Sequence, residues 1–163
     1  MAADTFTLIS TSTVASNNTT TSVTFSSIPS SYTDLCILAS VRTSYASATD
    51  GMNVRFNGVS ASEYWTTWFG SSGSANDSAR QQGNYNSITI RDGYVNGNGS
   101  TANTFNQMEI WVPQYSDSIW GVYHSLAWQV NRPSTAVNGT ASQIGCGVWQ
   151  NATWQADRKS TRL

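Results

Sequence analysis

Apolar residues recur at every second position over much of this chain, in short runs broken by turn-forming residues. Phe6 and Leu8 alternate with polar neighbours across residues 5–10, and Val23 and Phe25 alternate again after a Ser/Asn/Thr-rich stretch at 16–21. Successive side chains of a strand point to opposite faces of its sheet, so this pattern predicts half-buried strands. Ile28-Pro29-Ser30-Ser31-Tyr32 reads as a turn. The run Leu35-Cys36-Ile37-Leu38-Ala39-Ser40-Val41 is apolar at both alternations. It predicts a central strand, covered on both faces for part of its length.

Met52, Val54 and Phe56 alternate with Asn53, Arg55 and Asn57, and Asn57-Gly58 is a turn signal. Ser60 and Glu63 have capping-box spacing, which leaves a helical turn and a polar loop both open at 60–63. Tyr64 to Phe69 is rich in aromatics, and residues 70–84 predict the longest flexible loop. Ile88 and Ile90 have strand spacing, and Asp92-Gly93 and Asn96-Gly97-Asn98-Gly99 then read as connections. Met108, Ile110 and Val112 alternate up to Pro113, which stops the strand. A strand is expected over 119–130, a turn at 131–134 and a last strand over 143–149. No helix and no fixed-period repeat is visible. Short strands separated by turn chemistry predict an all-β chain: a jelly-roll-like antiparallel β-sandwich rather than parallel βαβ units.

Composition narrows this picture. The 163 residues suit one domain. Charged residues are 10% of the chain, against about 25% in typical soluble domains. Ser, Thr and Asn number 25, 20 and 14. A net charge of −1 argues against a protein that grips nucleic acid through its phosphates. No apolar run approaches the roughly 20 residues of a spanning helix, so no membrane insertion is expected, and no secretory signal is visible at the N-terminus. With 7 Trp, 7 Tyr and 5 Phe the chain can build a core, unlike a disordered polar sequence. Cys36 and Cys146 lie in apolar runs without zinc spacing, so buried free thiols are expected rather than a disulfide. The Asn-x-Ser/Thr triplets at Asn17, Asn18, Asn76, Asn98, Asn138 and Asn151 barely exceed the roughly four that this composition makes by chance, so they do not argue for glycosylation.

The C-terminus differs from the rest. Residues 157–163 hold 4 of the 17 charges, including the only lysine, Lys159. They resemble the in-frame translation of a common sequencing adapter, since GAT CGG AAG AGC ACA CGT CTG reads as these residues. The natural domain is therefore expected over 1–155, without its last strands, and 156–163 as a non-native tail. Without this tail the net charge is about −3, so its basic residues are not read as a nucleic-acid or membrane feature.

Reactive constellations are not evident. His124 is the single histidine, no GxSxG elbow is present, and Glu63 and Glu109 are the only glutamates, with nothing in the sequence to pair them. Most aspartates fall in turns, where they cap backbone groups. No calcium loop or phosphate-cradling glycine loop is present. The expectation is a protein that is not an enzyme, with no catalytic residues, cofactor or metal site. Tyr64, Trp65 and Trp68 are the best candidates for contact with a partner or glycan. Alternation puts Tyr64, Thr66 and Trp68 on one face and Trp65, Thr67 and Phe69 on the other. One aromatic set is expected in the core; the other could meet a partner or stack on a sugar ring.

Four segments in order, VTFSSIPSSYTDLCILASVR (23–42), VRFNG (54–58) with Tyr64 after it, ANTFNQMEIWVPQY (102–115) and IGCGVWQNATW (144–154), resemble a family of phage virion structural domains found in tail-fibre or appendage genes and as small virion proteins. The third departs from the family's Ile-Pro-Asn-Tyr-like segment, reading Val112-Pro113-Gln114-Tyr115. The resemblance implies a β-sandwich in the virion, used for structure or host attachment. Its partners would then be other virion proteins; separately, the aromatic excess and edge strands argue for a homo-oligomer, and the outward aromatics for contact with a host surface glycan. Members continue past the Gly147-Val148-Trp149-like segment with two more strands. The residues themselves read as framework: Tyr32 and Asp34 pinning the turn after Pro29, and Arg42 and Arg55 ending strands where they satisfy carbonyls or pair with Asp34 or Asp50. Loops 43–51, 70–84 and 94–103 are the expected variable, receptor-facing segments. A carbohydrate-binding module built on Trp65 or Trp68 is the alternative.

Overall fold

The computed structural model describes residues 6–14, 22–71, 76–113, 115, 124–135 and 139–149. They form eight strands and no helix: β1 (Leu35–Val41), β2 (Thr49–Val54), β3 (Tyr64–Ser71), β4 (Asn76–Tyr85), β5 (Ile88–Asn96), β6 (Asn106–Val112), β7 (His124–Thr135) and β8 (Gly139–Trp149). Every pairing is antiparallel. Six strands form one sheet in the order β1-β6-β7-β8-β3-β4, and β2 pairs with β5 in a second. The chain is all-β, and its described strands divide six and two.

The second sheet lies over the first, with β5 packed against β3, β6, β7 and β8. The period-2 pattern explains the core between them. Tyr64, Thr66 and Trp68 on β3 and Met108, Ile110 and Val112 on β6 point inward, and Ile88, Ile90 and Val95 of β5 meet them. Each fully buried aliphatic side chain contributes about 1.5–3 kcal/mol through removal from water. Gly147 lets the sheets approach: a Cβ there would stand 2.5 Å from the Ile88 side chain.

Several expectations are corrected. Of residues 70–84, expected as a loop, 70–71 end β3 and 76–84 form nearly all of β4, in register from Thr66↔Gln81 to Ser71↔Asn76, while 72–75 lie outside the described residues. An edge strand is held by its backbone ladder on one side and needs no apolar pattern, so its polar sequence disguised it. Likewise β5 runs through Asp92-Gly93, and β7 runs through residues 131–134, with a register shift between Arg132 and Thr135 around Pro133. Conversely, residues 6–14 and 22–29 alternate but form no strand, and Phe6 and Leu8 are exposed. Alternation makes a strand only where a free edge accepts it, and these segments pair with none among the described residues. β1, expected to be central, is the outer strand next to β6, and Leu38 on its outer side is 76% exposed. Residues 60–63 are a loop with Glu63 N–H donating to the Ala61 carbonyl. The proposed tail, 156–163, lies outside the described residues.

Candidate functional site

Tyr64 and Trp68 belong to the core, with 0% and 3% of their surface exposed. They cannot serve as a contact platform in this fold, which corrects two of the three residues named from sequence. Trp65 faces the other way and is half-buried, with exposed Phe69 on the same side of β3. His124 opens β7, where nothing of its side chain is described.

Tyr64 has a structural task that its sequence position conceals. Asn57 and Gly58 both have positive φ, 51° and 69°, the combination a type I′ turn requires. Val59 N–H closes that turn on the Phe56 carbonyl at 2.9 Å. The buried Tyr64 hydroxyl then donates to the Val59 carbonyl at 3.0 Å and accepts from Phe56 N–H at 3.2 Å. The Arg-Phe-Asn-Gly run and the tyrosine after it are thus one unit: a turn and the phenol that ties it down. Burial, foremost, pushes the Tyr64 hydroxyl above its ordinary value of 10.0. Its neutral form is the one the fold stabilises. That contribution is complete below about pH 10 and is lost as pH rises through the folded value. Stability should therefore fall more steeply above pH 10 in the native chain than in Tyr64→Phe, measured as urea midpoints between about pH 8 and 11.

Arg42 is the second framework residue. From the end of β1 its guanidinium donates to the carbonyls of Thr101 (2.6 Å), Thr104 (3.1 Å), Asn98 (3.1 Å) and Ser100 (3.0 Å). One rigid fork thereby gathers the whole 98–104 loop, a role suited to arginine's fixed donor geometry. Beneath it, Asn96 and Asn106 are fully buried. Asn106 accepts from the Asn96 backbone N–H, and the Asn96 amide donates to Thr104 Oγ1 at 3.0 Å. The loop 43–48 closes the same knot: Gly97 N–H donates to the Ala48 carbonyl (3.1 Å) and Gly99 N–H to that of Ser47 (3.0 Å). Arg55 similarly donates from Nε to the Asn86 carbonyl at 2.9 Å. Arg42→Met, which keeps the stem and removes the donors, should cost about 2 kcal/mol in urea unfolding, since bonds from a charged donor contribute about 1.5–3 kcal/mol and this site is partly open to water.

The cysteines are free, Cys36 half-buried and Cys146 exposed, rather than both buried. Burial, and secondarily Glu109, raises the Cys36 thiol above its ordinary 9.0, away from a reactive thiolate. Among the described residues no group of three or more His, Cys, Asp or Glu side chains converges as metal ligands would. The region near the 42–48 and 96–106 segments is built of buried amides, hydroxyls and a guanidinium whose donors go to carbonyls, with the buried Thr43 hydroxyl unpartnered among the described residues. Its chemistry is that of a structural clasp.

Comparison with protein-family models, with curated proteins and with solved structures finds no match to this chain.

Proposed function

We propose that this chain is a non-enzymatic structural protein of a phage virion, a fibre, appendage or capsid-surface module acting in assembly or host attachment alongside other virion proteins. The observation that carries this reading is the use made of the residues on which the family resemblance rests. Arg42, the Phe56–Val59 turn and Tyr64 are all spent on holding loops to a β framework. A motif of framework residues fits a domain maintained for shape and surface. The low charge and Ser/Thr/Asn-rich sequence suit a protein displayed on a particle. The sugar-binding alternative loses Trp68, one of its two tryptophans, to the core.

A single long sequencing read through the locus tests the proposal. Capsid, tail or fibre genes on either side would support it. Unrelated metabolic genes there would count against it.

A further inference from the structure

Asn-Gly occurs at 57–58, 96–97, 98–99 and 138–139, and the structure describes both residues of the first three. An asparagine before glycine is open to attack by the next backbone nitrogen on its side-chain amide, because glycine puts no Cβ in the way. The three surroundings differ. Asn96 is fully buried, and Gly97 N–H is tied to the Ala48 carbonyl at 3.1 Å. Asn98 is exposed, yet Gly99 N–H donates to the Ser47 carbonyl at 3.0 Å and Asn98 N–H to that of Tyr45 at 2.6 Å, while the Asn98 carbonyl accepts from Arg42. Both sites lie inside the clasp, so freeing either glycine nitrogen means opening it. Asn57 and Gly58 are both exposed, and among the described residues nothing accepts from Gly58 N–H or holds the Asn57 side chain.

We propose that Asn57 is a self-modification site, where the folded chain converts spontaneously to aspartate and isoaspartate with water as the co-reactant. The Gly58 nitrogen gives its proton to hydroxide and attacks Asn57 Cγ. The new N–Cγ bond closes a five-membered succinimide as the Cγ–Nδ2 bond breaks, and Nδ2 leaves as ammonia, taking its proton from water. Water then adds to one of the two ring carbonyls. The ring opens to aspartate when the N–Cγ bond breaks, and to isoaspartate when the N–C bond of the former peptide breaks. One water is consumed, one ammonia is released and nothing is oxidised. A type I′ turn holds the Gly58 nitrogen roughly anti to the Asn57 Cβ, so ring closure waits on opening of the turn. That opening breaks the Val59–Phe56 bond and the two bonds of the Tyr64 hydroxyl, against the whole clasp at the other two sites. Local openings of this kind occur far more often than unfolding of the domain. Tyr64 therefore sets the pace at Asn57. Isoaspartate lengthens the main chain by one carbon within the turn, and either product adds a negative charge. The turn would thus record the chain's age, on a virion or elsewhere.

Incubation of the full chain in mildly alkaline heavy-oxygen water tests this, with conversion read at each asparagine by fragmentation mass spectrometry. The heavy oxygen marks only product formed during the incubation. In the folded chain Asn57 should convert about tenfold faster than Asn96 or Asn98, or more. In the urea-unfolded chain, where no bond protects any of them, the three should convert at similar rates. Tyr64→Phe, at temperatures where tryptophan fluorescence shows it folded, should speed Asn57 several-fold and leave Asn96 and Asn98 as they were. Gly58→Ala puts a Cβ beside the attacking nitrogen and should slow Asn57 alone. Conversion of Asn96 or Asn98 as fast as Asn57 in the folded chain would overturn the proposal. So would a folded chain whose Asn57 keeps its amide over the time in which the unfolded chain converts, or a folded Tyr64→Phe chain in which Asn57 is no faster.

Discussion

Replacing Gly97 with alanine is expected to destabilise the fold by about 3 kcal/mol or more, a large share of the roughly 5–15 kcal/mol that holds a domain together. A Cβ at this position would press into the Ser47 carbonyl oxygen and stand 2.9 Å from that of Tyr45. Both obstacles are backbone, so no rotamer change relieves them. Relief requires separating the 43–48 and 96–106 segments, and that breaks the Gly97–Ala48 and Gly99–Ser47 bonds and disturbs the buried Asn96. Gly58→Ala is the internal comparison. Gly58 has φ of 69° but nothing within 4 Å of its missing Cβ. Its alanine variant should lose only about 1 kcal/mol, the cost of the left-handed backbone. Urea unfolding followed by tryptophan fluorescence measures both. Gly97 lacks the left-handed backbone of Gly58, so equal losses at the two glycines would mean that the close approach at Gly97 costs far less than the contacts require.

The second large effect separates the two faces of β3. Trp68→Ala should cost about 3–5 kcal/mol, through lost burial and the cavity left behind. Trp65→Ala, three residues earlier on the other face, should cost about 1 kcal/mol or less. Trp68 is 3% exposed and lies in the core with Ile110 and Met108. The pair of midpoints is decisive because the residues share a strand and a side-chain type. A tolerant Trp68 and an intolerant Trp65 would invert the assignment of inside and outside, and would restore Trp68 as a surface residue.

The sequence made the alternating strands legible where burial is one-sided. In β6, Met108, Ile110 and Val112 point inward while Gln107 and Glu109 point outward, as their pattern dictates. β4 was not legible, because an edge strand takes its order from backbone bonds to β3 rather than from apolar side chains. The stretches around Phe6 and Phe25 misled for the opposite reason: their side-chain pattern suits a strand, but no sheet edge receives it among the described residues. β1 misled through composition. Its apolar residues on both faces imply two-sided cover, whereas Leu38 on the outer side is largely exposed among the described residues. The framework role of Arg42 was legible in outline, as a strand-ending arginine that would satisfy carbonyls. Which carbonyls it gathers depends on the 98–104 loop folding back beside β1 from about sixty residues away, which no local pattern records. Tyr64 was read as a candidate contact residue because an aromatic cluster looks the same whether it faces water or a turn.

The central claim is that this chain is a structural component of a phage particle. Quantitative mass spectrometry of density-purified particles from the phage that carries the gene tests it most directly. The account predicts that peptides of this chain band with the major capsid protein, in several copies per particle, and stay there after a high-salt wash. Expression of the chain in the infected cell without recovery in the particle band would contradict it.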